Sequence, residues 1–146
     1  MKKIALLILS SVLLFSFIAA FTAVEDNTEK DVIKKAITDY YYGGQKGSDP
    51  KLLDQIFHEE WHLYSIREGK LSITDKKTYL GYFDPSKANP DLNWDFEVYY
   101  VDVDGHAASA KVRLENDRVR FIDYFNMLKI DGKWWIVNKI SFPTRK

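Results

Sequence analysis

The chain has 146 residues, 21 of them basic and 21 acidic, and no cysteine. That length holds one ordinary domain. Balanced charge gives no concentrated basic face for nucleic acid, and the lack of thiols excludes disulfides, thiolate catalysis, cysteine zinc sites and iron–sulfur clusters.

The first 23 residues read as a secretory signal. Lys2 and Lys3 form a positive start, Ile4 to Ala20 is almost wholly apolar, and Ala19, Ala20 and Ala23 supply small residues for cleavage. The rival reading is an uncleaved anchor, since the apolar stretch approaches the length of a membrane span. Cleavage predicts a single domain over 24–146, exported to the periplasm or secreted, with no membrane attachment. Without Lys2 and Lys3, 19 basic residues stand against 21 acidic, a net of −2.

Thr28-x-x-Asp31 resembles a capping box, and Val32, Ile33, Ala36, Ile37 and Tyr40 continue as a helical stripe that Gly43-Gly44 should end. Asp49-Pro50 opens a short second helix with Leu52, Leu53, Ile56 and Phe57 on its buried side. A strand over Trp61–Ile66 turns at Arg67–Lys70, and Leu71–Ile73 pairs back. Thr74 then caps a third helix to about Phe83. Four alternating strands follow, Trp94–Val103, Ala107–Glu115, Arg118–Ile130 and Lys133–Phe142, joined by Asp104-Gly105, Asn116-Asp117 and Asp131-Gly132. Helices first and a meander after predict an α+β domain, with N-terminal helices packed on a curved, mostly antiparallel sheet.

Taking each turn as a two-residue turn fixes the register by counting. One row then reads Tyr99–Ala110–Asp123–Ile140 and the next Val101–Ala108–Phe125–Asn138. Both rows face the helices. Two alanines leave room at their centre, ringed by Tyr99, Asp123 and Asn138, which is the pattern of a pocket floor. The other face mixes Lys111, Arg113, Arg120 and Lys139 with Phe96, Val98, Tyr100, Ile122, Tyr124 and Trp135. It is too apolar for simple solvation and predicts a homodimer through the outer sheet face.

Asp123 is the sharpest candidate: either a general base or acid set against an apolar wall, or a structural acid satisfied by a tyrosine hydroxyl or a backbone amide. Tyr40 is placed to bond a ligand, with His58 and Trp61 at the pocket edge. The string His58-Glu59-Glu60-Trp61-His62 spells the zinc pattern HExxH, but it falls where a helix ends and a strand begins, so the two rings would not share a helical face. No metal site and no cofactor is expected.

Two stretches resemble the putative lumazine-binding family, a branch of the nuclear transport factor 2-like superfamily that also holds SnoaL-like cyclases and ketosteroid isomerases. One is Tyr42-Gly43, Gly47-Ser48-Asp49, Leu52 and Phe57-His58; the other is Asp123-Tyr124, Leu128 to Trp134 and Ile136 to Lys139. The resemblance implies a cone-shaped α+β fold with a pocket between helices and concave sheet. Three functions follow as expectations: an exported small-molecule-binding domain of unknown ligand; an isomerase, dehydratase or cyclase using Asp123 with Tyr40 or Tyr99; or a dimeric scaffold.

Overall fold

The computed structural model describes residues 28–146; the expected signal over 1–23 lies outside the described residues. Helix α1 covers 28–47, short helices α2 (Pro50–Asp54) and α3 (Lys76–Leu80) follow, and the strands are β1 (Phe57–Arg67), β2 (Lys70–Asp75), β3 (Asp95–Asp104), β4 (Ala107–Glu115), β5 (Val119–Ile130) and β6 (Lys133–Arg145). The sheet runs β2-β1-β6-β5-β4-β3 and is antiparallel except where β1 meets β6. Ile33, Ile37 and Leu53 from the helices pack with Val112, Leu114, Phe125, Met127 and Ile136 from the inner sheet face in one core. The expected layering of helices on one face of a curved sheet therefore holds.

Helix α1 departs from regular winding. Ile37–Tyr42 is π-helix, and Gly43 N–H reaches back five residues to Thr38 O. A regular helix would bury Tyr40 below Ile33 and Ile37. The wider turn advances the buried position by one residue, so Tyr41 is buried and Tyr40 is left half-exposed. The helix also runs past Gly43-Gly44 to Gly47 and ends at left-handed Ser48. Gly44 serves close packing instead: a Cβ there would sit 2.6 Å from Leu53 Cγ. Asp49 caps α2 as expected, accepting from Lys51 N at 2.8 Å. Asp75 caps α3, accepting from Thr78 N at 2.7 Å in place of the expected Thr74.

The register differs from simple counting at four points. Glu115 pairs with Arg120, because Asn116 closes a longer turn with its side chain on Arg118 N and Val119 N. That shift of two residues keeps the faces, and Ala110 meets Phe125. The β3–β4 turn falls on Gly105-His106, with Asp104 opposite Ala107, so Ala110 pairs with Val101; further along, β3 slips between Val98 and Tyr100, where Tyr99 is the extra residue and 44% exposed. In β6 it slips between Ile136 and Asn138, where Val137 is the extra residue. A one-residue slip exchanges the two faces of a strand. Beyond Val137, Lys139 turns inward and Asn138 and Ile140 turn outward, the reverse of the expected order.

Candidate functional site

Asp123 on β5 is fully buried, and the cation that compensates it is Lys139, brought inward by the Val137 bulge. Phe125 pairs with Lys139, and Asp123 sits two residues along the same inner face. Lys139 Nζ lies 3.7 Å from Asp123 Oδ2. It donates to Tyr41 OH at 3.1 Å and to Tyr79 OH at 2.9 Å. Tyr41 in turn donates a short hydrogen bond to Asp123 Oδ2. Gln45 Nε2 donates to Tyr79 OH at 2.7 Å. The tetrad Tyr41, Asp123, Lys139 and Tyr79 thus joins α1, β5, β6 and α3, with the ammonium also packed over the faces of both tyrosine rings.

The surroundings are apolar. Tyr41 meets Phe125 edge-on at 4.8 Å between ring centroids, and Trp61 stacks on Phe57 at 4.2 Å and reaches Tyr79 at 4.9 Å. Burial, then the negative charge of Asp123, hold the Tyr41 hydroxyl well above its ordinary range. For Lys139 burial disfavours the charged form, but the Asp123 charge and the Tyr79 hydroxyl outweigh it, so the ammonium rests above its ordinary value. Two polar atoms here have no hydrogen-bond partner among the described residues: Asp123 Oδ1 and Trp61 Nε1. A buried acceptor left unmade costs about 1–3 kcal/mol, more when it is charged.

Of the expected pocket residues, Asp123 and Trp61 lie in this cluster. Tyr40 is displaced from it by the π turn, and Asn138 by the β6 bulge, which leaves it accepting from Asn126 Nδ2 at 3.1 Å on the exposed face. Tyr99 stands outside at the β3 bulge. His58 is half-buried against the edge of Trp135. His58 and His62 lie on β1, not on a helix, and each bonds locally to Glu60 backbone. Tyr41, Tyr79 and Lys139 escaped the sequence reading. The signal that could have found Lys139 is the inner carboxylate itself, which demands a nearby cation.

A separate surface cavity of about 330 Å³ is lined by Asp54, Glu59, Lys76, Lys77 and Leu80. None of these belongs to the tetrad, and Lys76 is already held by Asp54 at 2.7 Å and by Phe57 O at 2.9 Å.

This helix-on-sheet arrangement is the nuclear transport factor 2-like fold. An NTF2-like protein of unknown function from Shewanella baltica OS155 superposes with a TM-score of 0.69 at 24% identity, over 78% of this chain and 92% of that one. A ketosteroid isomerase-like protein from Erwinia carotovora atroseptica does so with a TM-score of 0.60 at 12% identity, over 79% and 95%. Residues 28–141 match the family described as Putative lumazine-binding, and the chain belongs to it. Aldolase FrzH of a Cladobotryum species is 24% identical over 119 residues, which is 80% of this chain and 94% of that protein.

Proposed function

We propose that this protein is an exported small-molecule-binding domain whose ligand enters between the helices and the inner sheet face and meets the Tyr41–Asp123–Lys139–Tyr79 tetrad. The observation that carries the proposal is Asp123 Oδ1, fully buried in a charged cluster and yet unpartnered among the described residues. A ligand N–H or O–H would satisfy it, and Trp61 Nε1–H offers a donor to a ligand oxygen. The tetrad pairs one cationic with one anionic side chain, so a ligand without net charge suits it. Native mass spectrometry of the protein purified from its own host tests this. A small molecule that copurifies with the wild type and is lost from Asp123→Asn is the expected result. A wild type that carries no ligand, and gains no thermal stability across a broad panel of neutral heterocycles and carbonyl compounds, contradicts it.

A second reading is favoured by the directed chain from Lys139 through Tyr41 to Asp123 and by the likeness to an aldolase. Asp123 would take a proton from the carbon beside a ligand carbonyl. The electron pair would move into the oxygen as an enolate held by the Lys139 and Tyr79 donors. Hydrogen exchange into a panel of small ketones, followed by NMR in D2O, checks it. Exchange that Asp123→Asn abolishes without loss of fold supports an enzyme of isomerase or aldolase type. No exchange with any member removes this reading and leaves binding alone.

A further inference from the structure

Asp123 lies at the inner end of a row of three serines. Across β5 and β6 it pairs with Ser141. One step beyond the parallel pair Tyr64–Ile140, β1 sets Ser65 beside Ser141, and Ser65 pairs with Ser72 on β2. Their neighbours Ile66, Leu71, Ile73, Ile140 and Phe142 all point outward and are exposed, so the serines share the inner face with Asp123. The next inner row, Thr74, Leu63, Lys139 and Phe125, is buried, whereas Lys70, Arg67 and Pro143 on the other side are exposed. The half-buried serines therefore stand at the rim of the tetrad, between it and solvent. Ser65 Oγ is itself buried and, like Asp123 Oδ1, has no hydrogen-bond partner among the described residues. Two strand spacings, roughly 10 Å, separate these two residues.

We propose that Ser141, Ser65 and Ser72 are a second arm of the ligand site, along which an elongated uncharged molecule lies with one polar end on Asp123 Oδ1. This rests on the reading of Asp123 as a ligand acceptor. Asp123 Oδ2 is taken by Tyr41 and Lys139, which leaves Oδ1 for a donor lying along the serines. The arm has no charge of its own, and each hydroxyl both donates and accepts. It suits a chain bearing hydroxyl, amide or carbonyl groups, and Ser65 Oγ fixes the spacing of the second polar group from the first. An anionic or cationic chain would find no partner of opposite charge on the row.

The natural chain has no cysteine, so an introduced thiol is unique. The full chain carrying Ser72→Cys, at the outer end of the row, is equilibrated with three neutral alkyl disulfides, and capture is read by intact-protein mass spectrometry. One probe spans roughly 14 Å, the three strand spacings from Ser72 to Asp123, and ends in a carboxamide. The second has the same chain ending in methyl, and the third is a carboxamide chain of half that reach. The long carboxamide is expected to be captured about 10-fold better than either control, the worth of one or two net hydrogen bonds. Adding Ser65→Ala should cut that preference at least about 3-fold, while Tm holds or rises because the hydroxyl has no protein partner to lose. Equal capture of all three probes overturns the proposal, as does a fall in Tm on Ser65→Ala, which would make the hydroxyl structural. A preference that Asp123→Asn removes but Ser65→Ala leaves intact overturns the serine arm and keeps the Asp123 reading. A preference that needs Ser65 but not Asp123 overturns the proposal as stated, because the polar end then rests elsewhere than on Asp123.

Discussion

Asp123 and Lys139 are individually unfavourable choices for a protein core and only together tolerable. Each loses its hydration on burial, and their attraction offsets that cost only while the tyrosine hydroxyls complete the network. Removing one partner therefore should cost more than removing both. Lys139→Met alone is expected to destabilise the fold by about 3–5 kcal/mol, because it strands the Asp123 charge. Adding Asp123→Leu should recover most of that loss, since an apolar pair of similar size is close to neutral in such sites. Urea unfolding of the two single variants and the double variant measures the coupling; purely additive losses would contradict a paired role. So costly a group in an otherwise apolar core is itself a reason to expect that it contacts something beyond the protein.

At the scale of elements, two irregularities assemble the tetrad. The π turn in α1 brings Tyr41 inward in place of Tyr40, and the Val137 bulge brings Lys139 inward in place of Asn138. Both devices recur at functional sites, where they aim a side chain that regular geometry would point elsewhere. Deleting Val137 should restore regular alternation and send Lys139 to the outer face. The expected outcome is a protein that has lost its cooperative unfolding transition, because Asp123 is left unpaired and Ile140 and Asn138 are driven inward. A deletion variant with wild-type Tm would contradict the register argument. Gly44→Ala tests the α1–α2 contact. Alanine improves helix propensity by about 1 kcal/mol, but its Cβ meets Leu53 Cγ at 2.6 Å, and overpacking costs typically 1–3 kcal/mol. A net loss of Tm is expected, partly relieved in the background of Leu53→Ala. The same two irregularities explain what was legible in the sequence. The Asp131-Gly132 turn, the cap at Asp49 and the inner run from Val112 to Met127 follow from turn chemistry and period-two alternation. Tyr41 and Lys139 do not, because a π turn and a bulge each insert one residue into a period, and neither leaves a compositional mark. Asp123 was found because it precedes the β6 bulge in the chain and sits in a strand whose alternation is unbroken.

Over the whole molecule, the tetrad makes stability sensitive to alkali. Tyr41 and Lys139 both lose their protons at higher pH in the folded than in the unfolded chain. The unfolded chain then releases protons first, so their contribution is complete below about pH 10 and declines as pH rises through the folded values. Urea midpoints should be level from neutral pH to about 10 and fall above it, and Tyr41→Phe should flatten that fall. At the acid side Glu29 acts in the opposite sense. Hydrogen bonds from Lys129 and then Trp134 hold its carboxyl below the ordinary value, so the contact that ties α1 to β5 and β6 is present at neutral pH and is lost as pH falls below that of a free glutamate. The overall layering was visible in the sequence because helices, then a meander, leave few ways to bury one face of a sheet.

The most direct test of the account is a crystal structure of the protein purified from its own host, with difference density examined around Asp123 Oδ1. A small molecule with a donor on that oxygen, bounded by Tyr41, Tyr79, Lys139 and Trp61, is the predicted result. A tightly packed core in which a protein group occupies Asp123 Oδ1, with any bound molecule elsewhere, would contradict it and reduce the tetrad to a structural ion pair.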